Sequence, residues 1–294
     1  MLLVDLSMIM HRCLNKMDFL SNSDGVKTGL EFGTLRTLEM LEKDYPAHQI
    51  VLCLDDKESW RKKISSEYKS NRKPLGNDTW KRMNKFIDFL KCIYPTSICR
   101  FQEADDVMFA LSRSQSGPHF IYTNDQDLLQ AVSDTLGVKV LKSWNSKLFI
   151  WDEAKVKAEF GVSPDLLPYY RAFIGDKSDH LTGVKRLDRA LLAELIMWCY
   201  SKKNMTQHWF LQEIKTANWG SAKITADVTG FIDSEHWLDN FMLMALQCDD
   251  TIKIDEPIKD DEYVVHCLNE WEIASLRLCE RFKDKLINTL SEEF

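Results

Sequence analysis

The chain has 294 residues, 45% hydrophobic and 28% charged, enough for one large folded domain or two modest ones. Only 11 glycines and 7 prolines exclude collagen-like and low-complexity architectures. No apolar run approaches the roughly 18 residues a membrane span needs, and Met1-Leu2-Leu3-Val4-Asp5 does not read as a secretory leader, so a cytosolic protein is expected.

The formal charge of −7 is strongly segregated. Lys57 to Lys91 holds 11 Lys/Arg against four acids, whereas Asp233 to Glu262 holds ten acids against Lys253 and Lys259. Local charge steers a polyanion more than the total does, so the basic stretch points to nucleic acid. The acidic stretch reads as a solvated face or loop.

In chain order, Leu2-Leu3-Val4 reads as a strand that ends at Asp5. Gly33 to Tyr45 carries apolar residues at 35, 38 and 41, a helical period stopped by Pro46. Ile50 to Leu54 is a second strand, followed by Asp55-Asp56, and Trp80 to Tyr94 returns to a helical period. Ile98-Cys99-Arg100-Phe101 leads into Glu103-Ala-Asp105-Asp106, which opens a short helix over 104–113. Phe120-Ile121-Tyr122 and Val138 to Leu141 are further strands, with Asp125 and Asp127 just after the first. Strands alternating with helices predict an α/β fold with a mostly parallel central sheet.

After Trp151 the pattern turns helical: Asp152 to Phe160, Ser163 to Ile174 with an N-cap at Ser163 and Pro164 behind it, Leu187 to Tyr200, Glu235 to Cys248, and a long last helix from Glu270 to Leu290. An α/β catalytic core over 1–150, with the basic segment 57–91, and a helical region over 151–294 are therefore expected. Eight cysteines at 13, 53, 92, 99, 199, 248, 267 and 279 contain no Cys-x-x-Cys pair, so reduced core thiols are expected rather than disulfides or thiolate zinc. The histidines form no i, i+4 pair, and neither a Gly-x-Ser-x-Gly elbow nor a Walker loop is present.

The carboxylates carry the chemistry. Asp5, Asp55, Glu103, Asp105, Asp106, Asp125 and Asp127 all follow predicted strands, and the carboxyl ends of parallel strands are where α/β proteins place ligands. Any one of these groups reads equally as a turn or a helix N-cap. As a set they repel one another unless cations neutralise them, and oxygen-only donors suit Mg²⁺ or Mn²⁺. Asp176 and Asp179 add two acids three residues apart. A cation-filled acidic pocket beside a basic segment is the arrangement for hydrolysing a phosphodiester.

Leu-Val-Asp5, Leu-Cys-Leu-Asp55, Glu103-Ala-Asp-Asp106, Thr-Asn-Asp125-Gln-Asp127 and Gly-Asp176-Lys-Ser-Asp179 resemble, in order, the acidic series of the flap endonuclease/5′-nuclease family. Tyr68-Lys69-Ser70-Asn71-Arg72 resembles a motif of that family's helical arch. The resemblance covers about residues 1–190 with specific motifs. It implies a PIN/5′-nuclease-like sheet, a helical arch, and a helical C-terminal region with a helix–hairpin–helix (H3TH) unit at about 170–200. That unit is degenerate, because His180 stands where the family has Asn and Gly183-Val184-Lys185-Arg186 lacks the second glycine.

The resemblance further implies two Mg²⁺ ions, replaceable by Mn²⁺. One would be held by Asp5, Asp55, Glu103, Asp105 and Asp125 and the other by Asp127, Asp176 and Asp179, with Asp106 acting indirectly. Lys69 and Arg72 would act at the scissile phosphate. Trp60, Arg61, Lys62, Lys63, Tyr68 and Lys73 would bind the strand, and Lys185 and Arg186 the duplex. The implied activity is 5′-to-3′ exonuclease, flap endonuclease and ribonuclease H, acting as a monomer on DNA or RNA–DNA hybrid with 5′ ends or flaps during replication. Phe294 on its short acidic tail is the segment expected to meet a sliding clamp or a single-strand-binding protein. A PIN-type ribonuclease and a non-catalytic branched-DNA-binding protein remain alternatives.

Overall fold

The computed structural model describes residues 1–114, 116–145, 147–202, 206–247, 251–282 and 286. In chain order the elements begin with β1 (Leu2–Asp5), α1 (Leu6–Met17), α2 (Gly29–Asp44), β2 (Ile50–Leu54), α3 (Trp60–Ile64) and α4 (Asn77–Lys91). There follow β3 (Thr96–Ile98), α5 (Ala104–Ser114), β4 (His119–Tyr122), a 3₁₀ turn at Asp127–Ala131, β5 (Val138–Trp144) and β6 (Lys147–Trp151). The remainder is mostly helical: α6 (Glu153–Phe160), α7 (Leu167–Ile174), the two-residue strands β7 (Gly175–Asp176) and β8 (Leu181–Thr182), and α8 (Arg189–Tyr200). Last come α9 (Gln207–Thr216), α10 (Ala222–Asp233), α11 (His236–Met244), α12 (Asp261–Glu270) and α13 (Arg277–Glu280). Among the described residues no helix is long and apolar enough to cross a membrane.

The chain forms two compact units, one of residues 1–55, 74–99 and 251–294, the other of 56–73 and 100–250. In the first, β1 pairs in parallel with β2, Leu2 opposite Ile50, and β2 with β3, Leu52 opposite Thr96. These strands read as continuous apolar runs because every residue of β1 and β2 is buried. Phe86 and Phe89 of α4 stack at 5.8 Å, and Trp271 meets both edge-on.

In the second unit β4 pairs in parallel with β5, His119 opposite Val138, while β6 returns antiparallel, Leu141 opposite Ile150. Three of these four ladders are parallel, so the α/β class with a mostly parallel sheet stands. The helix α7 runs into the β7–β8 hairpin with no spare residue. Gly175 takes φ +76°, and a β-carbon on Gly183 would lie 2.1 Å from the Ile174 carbonyl oxygen. Only glycine allows the backbones to approach this closely.

Some features differ from the sequence reading. Among the described residues the long last helix is interrupted: α12 stops at Glu270, Glu272 turns left-handed at φ 53°, and Arg277–Glu280 is helical again. The reason is burial, since Trp271, Ile273 and Leu276 all enter the core and a single helical stripe does not present that spacing. Residues 283–285 and the tail 287–294, with Phe294, lie outside the described residues. The strand before Glu103, read at Ile98–Phe101, lies at Thr96–Ile98, directly after Pro95, and the edge strand β6 was missed because it is entered through Asn145 at φ 47° rather than a glycine. Cys13, Cys53, Cys92, Cys199, Cys267 and Cys279 are buried free thiols, as expected.

Candidate active site

In the first unit, Asp5 and Asp55 emerge at the carboxyl ends of two adjacent parallel strands, β1 and β2. Asp5 caps α1 by accepting from the Met8 amide at 2.9 Å, and Asp55 accepts from Ser7 Oγ at 2.5 Å. The fold thus sets both acids on one sheet edge.

The second unit holds the other seven predicted acids and the first half of the basic segment. Glu103, Asp105 and Asp106 start α5, and Asp125 and Asp127 follow β4. Asp125 Oδ1 accepts from the Asp127 amide at 2.7 Å, and its own amide donates to Thr123 Oγ1. Asp176 lies in β7 and accepts from the Ser178 amide and hydroxyl at 2.7 and 2.6 Å. Asp179, in the hairpin turn, is 6% exposed.

Side chains of the basic segment are seated on these acids. Lys69 Nζ donates to Glu103 Oε2 at 2.8 Å, and Arg72 Nη2 to Asp179 Oδ1 at 2.6 Å. Tyr68 Oη stands 3.1 Å from Glu103 Oε2 and 3.2 Å from Asp179 Oδ2, one proton between two carboxylates. Burial, with Glu103 beside it, holds the Tyr68 phenol well above its ordinary range. Burial alone would raise Glu103, but Lys69 and Arg61 more than reverse this and keep it ionised.

A fourth cation comes from α7. Arg171 donates to Gln126 Oε1 at 2.8 Å and Asp176 Oδ2 at 2.5 Å. Its Nε lies 2.7 Å from Asp127 Oδ1, a charge contact without hydrogen-bond alignment that leaves both atoms unpartnered. Burial, reinforced by Asp125, Asp176 and Asp179, pushes the Asp127 carboxyl up to about 7 against the pull of Arg171. Sequence reasoning missed Arg171; the available signal was a lone cation in the apolar run Leu166 to Ile174, which needs a buried carboxylate.

Two predicted roles, those of Arg61 and Tyr68, need correction. Arg61, expected on the strand-binding surface, is 2% exposed and forms a two-pronged pair with Asp106 at 2.5 and 2.8 Å while its Nε donates to the Leu243 carbonyl at 2.7 Å. Asp106, expected to act indirectly, is fully buried and also accepts from Trp60 Nε1 and the Gln247 amide. Tyr68, at 3% exposure, offers no face for a base to stack on. Lys62 and Lys73 are exposed as expected, as are Lys185 and Arg186 between β8 and α8. Lys63 lies over the Phe101 ring at 3.5 Å, and Trp60 is half-buried with the Arg61 guanidinium 4.5 Å above it.

The donor set suits a hard divalent cation. The acids here are oxygen donors only, they outnumber the four cations that touch them, and Asp127 Oδ1 lacks a hydrogen-bond donor. Among the described residues no trio of Asp, Glu, His or Cys side chains is already gathered as a cage, their near neighbours being Arg and Lys.

Comparison with known proteins agrees with this chemistry. Residues 1–161 match the family described as 5′-3′ exonuclease, N-terminal resolvase-like domain. The chain is 32% identical over 189 residues to DNA polymerase I of Pseudomonas aeruginosa, 63% of this chain and only 20% of the polymerase. It is 30% identical over 213 residues to the 5′-3′ exonuclease of Aquifex aeolicus, 70% of this chain and 72% of that one. Its fold superposes on a bacteriophage T5 flap endonuclease complexed with DNA and metal ions at a TM-score of 0.63, with 15% identity and 96% of each chain covered. A T5 5′-exonuclease with bound divalent zinc gives 0.64 at 16% identity, covering 84% and 89%. At these identities the structural likeness is one of fold.

Proposed function

The chain belongs to the 5′-3′ exonuclease family, the flap endonuclease/5′-nuclease group, and we propose that it is a metal-dependent 5′ nuclease that hydrolyses phosphodiester bonds at 5′ ends and flaps. The observation that carries this reading is the seating of Lys69 and Arg72 on Glu103 and Asp179. It puts two phosphate-seeking cations beside the acids that would hold the metal.

On this reading Asp5, Asp55, Glu103, Asp105 and Asp125 are the residues that would hold one Mg²⁺, and Asp127, Asp176 and Asp179 those that would hold the other. Bound there, the ions supply an activated water and charge stabilisation for the leaving oxygen. Lys69 and Arg72 then bind the scissile phosphate and stabilise the charge that develops on it. Lys62, Lys63 and Lys73 give the single strand a cationic track, and Lys185 and Arg186 meet duplex phosphates with side-chain charge in the altered hairpin. Products carry a 5′-phosphate and a 3′-hydroxyl. The acid series also resembles that of the T-even-phage-type ribonuclease H, so RNA–DNA hybrid is proposed as a substrate beside DNA flaps, with primer removal in replication as the role.

The test is cleavage of a 5′-labelled flap duplex and a nicked RNA–DNA hybrid with Mg²⁺ and with EDTA. Metal-dependent release of short 5′ fragments is expected; tight binding without cleavage would leave a branched-DNA-binding protein instead. Asp127→Asn should abolish cleavage while keeping affinity. Lys69→Ala should slow it about 10²-fold, and a change confined to affinity would demote Lys69 to strand binding.

A further inference from the structure

The turn carrying Lys69 and Arg72 is fastened to the hairpin turn by groups that the proposed chemistry does not use. Ser70 Oγ and His180 Nδ1 lie 2.8 Å apart, and Asn71 Nδ2 donates to the Lys177 carbonyl at 3.0 Å. The Lys69 amide donates to the Asp179 carbonyl at 3.2 Å. Ser70, Asn71 and His180 are exposed, so burial does not account for them. Both facing turns contain a left-handed residue with a β-carbon, Lys69 at φ 56° and His180 at φ 64°. Such backbone persists only when surrounding contacts over-determine it.

We propose that His180, with Ser70 and Asn71, is a positioning residue that clasps the Lys69–Arg72 turn to the β7–β8 hairpin and holds both cations in register with Glu103 and Asp179. The physical need is clear at Arg72, whose side chain is 54% exposed, because an ion pair that open to water is held weakly. Fixing the turn through its neighbours lets Lys69 and Arg72 meet a phosphate already oriented, which is where electrostatic catalysis gains most. The clasp deepens the nuclease reading and rests on it for its kinetic part only.

The experiment compares wild type with Ser70→Ala, His180→Gly and His180→Asn. Glycine removes the side chain while keeping the left-handed backbone relaxed, and asparagine tolerates that backbone and still offers a hydrogen-bonding group. Ser70→Ala changes only an exposed hydroxyl, so it tests the same bond without endangering the fold. Amide hydrogen exchange over residues 67–72, read on metal-free protein, should accelerate about fivefold in Ser70→Ala and His180→Gly. Steady-state flap cleavage in Mg²⁺ should show kcat falling about tenfold with KM within about twofold. His180→Asn should recover most of both, and the Ser70→Ala/His180→Gly pair should be no worse than the worse single variant, because the two residues share one bond.

Unchanged exchange in both Ser70→Ala and His180→Gly would overturn the clasp. A rise in KM with kcat intact would overturn it too, since that assigns these residues to strand contact. Wild-type protein that never cleaves would sink the nuclease reading alone, and exchange would still decide the clasp.

Discussion

Arg61 belongs to the Trp60-Arg61-Lys62-Lys63 run, yet it is among the most deeply buried large side chains, paired with an equally buried Asp106. Taking either partner away strands a charge in a dry site, so Arg61→Met or Asp106→Leu alone should lose about 3–5 kcal/mol in urea unfolding. The double replacement should recover most of that loss. If the single variants unfold like wild type, the pair is not holding this unit together. Lys142 in β5 offers a pH test of the same physics. Burial pushes its ammonium down to about 8 from 10.5, against the pull of Asp125. The neutral form is favoured by the fold, so between about pH 8 and 10.5 the unfolded chain binds more protons and stability rises with pH. Lys142→Met should therefore be more stable than wild type at pH 7 and lose that advantage by pH 10.5, a swing of up to about 3 kcal/mol. An advantage that does not change with pH would show that Lys142 stays charged.

At the scale of elements, the helix α7, the β7–β8 hairpin and α8 place Asp176 and Asp179 by backbone geometry. Gly183→Ala should drive a β-carbon into the Ile174 carbonyl and lower the thermal midpoint by several degrees, since Ile174 oxygen is backbone and has no easy way to yield. Gly76→Ala, where the added carbon meets open space, is the matched control and should be neutral. Equal midpoints would show that the hairpin yields freely. Asp188 caps α8 through the Ala190 and Leu191 amides, and Asp188→Ala should cost about 1 kcal/mol.

For the whole molecule, the proposed cation role of these carboxylates predicts a stability that depends on divalent cations. Mg²⁺ at 100 times its dissociation constant should stabilise the fold by about 2.7 kcal/mol per site. NaCl at equal ionic strength should not reproduce the rise in midpoint, and Asp127→Asn should reduce it. A midpoint indifferent to Mg²⁺ would remove the cation role from these acids. The match to the family's N-terminal domain spans residues 1–161, and the α7 and hairpin groups that meet Lys69, Arg72 and Asp127 lie beyond it.

Much was legible in advance because its cause is local. The strand residues Leu2 to Val4 and Ile50 to Leu54 are continuous apolar runs, as strands buried on both faces require, and the acids directly after them were found by position alone. What the sequence alone determined was the α/β class, the main buried strands, the acid series and the chemistry it implies. Tertiary structure decided which charges face solvent and which face each other. Arg61 and Lys62 are adjacent in the chain, but one is buried against Asp106 and the other is exposed. Arg171 meets Asp127, and Ser70 meets His180, across separations of 44 and 110 residues that no periodicity reports. Periodicity records which face of an element is buried, whereas the pairing of charges depends on which elements the packed fold brings side by side.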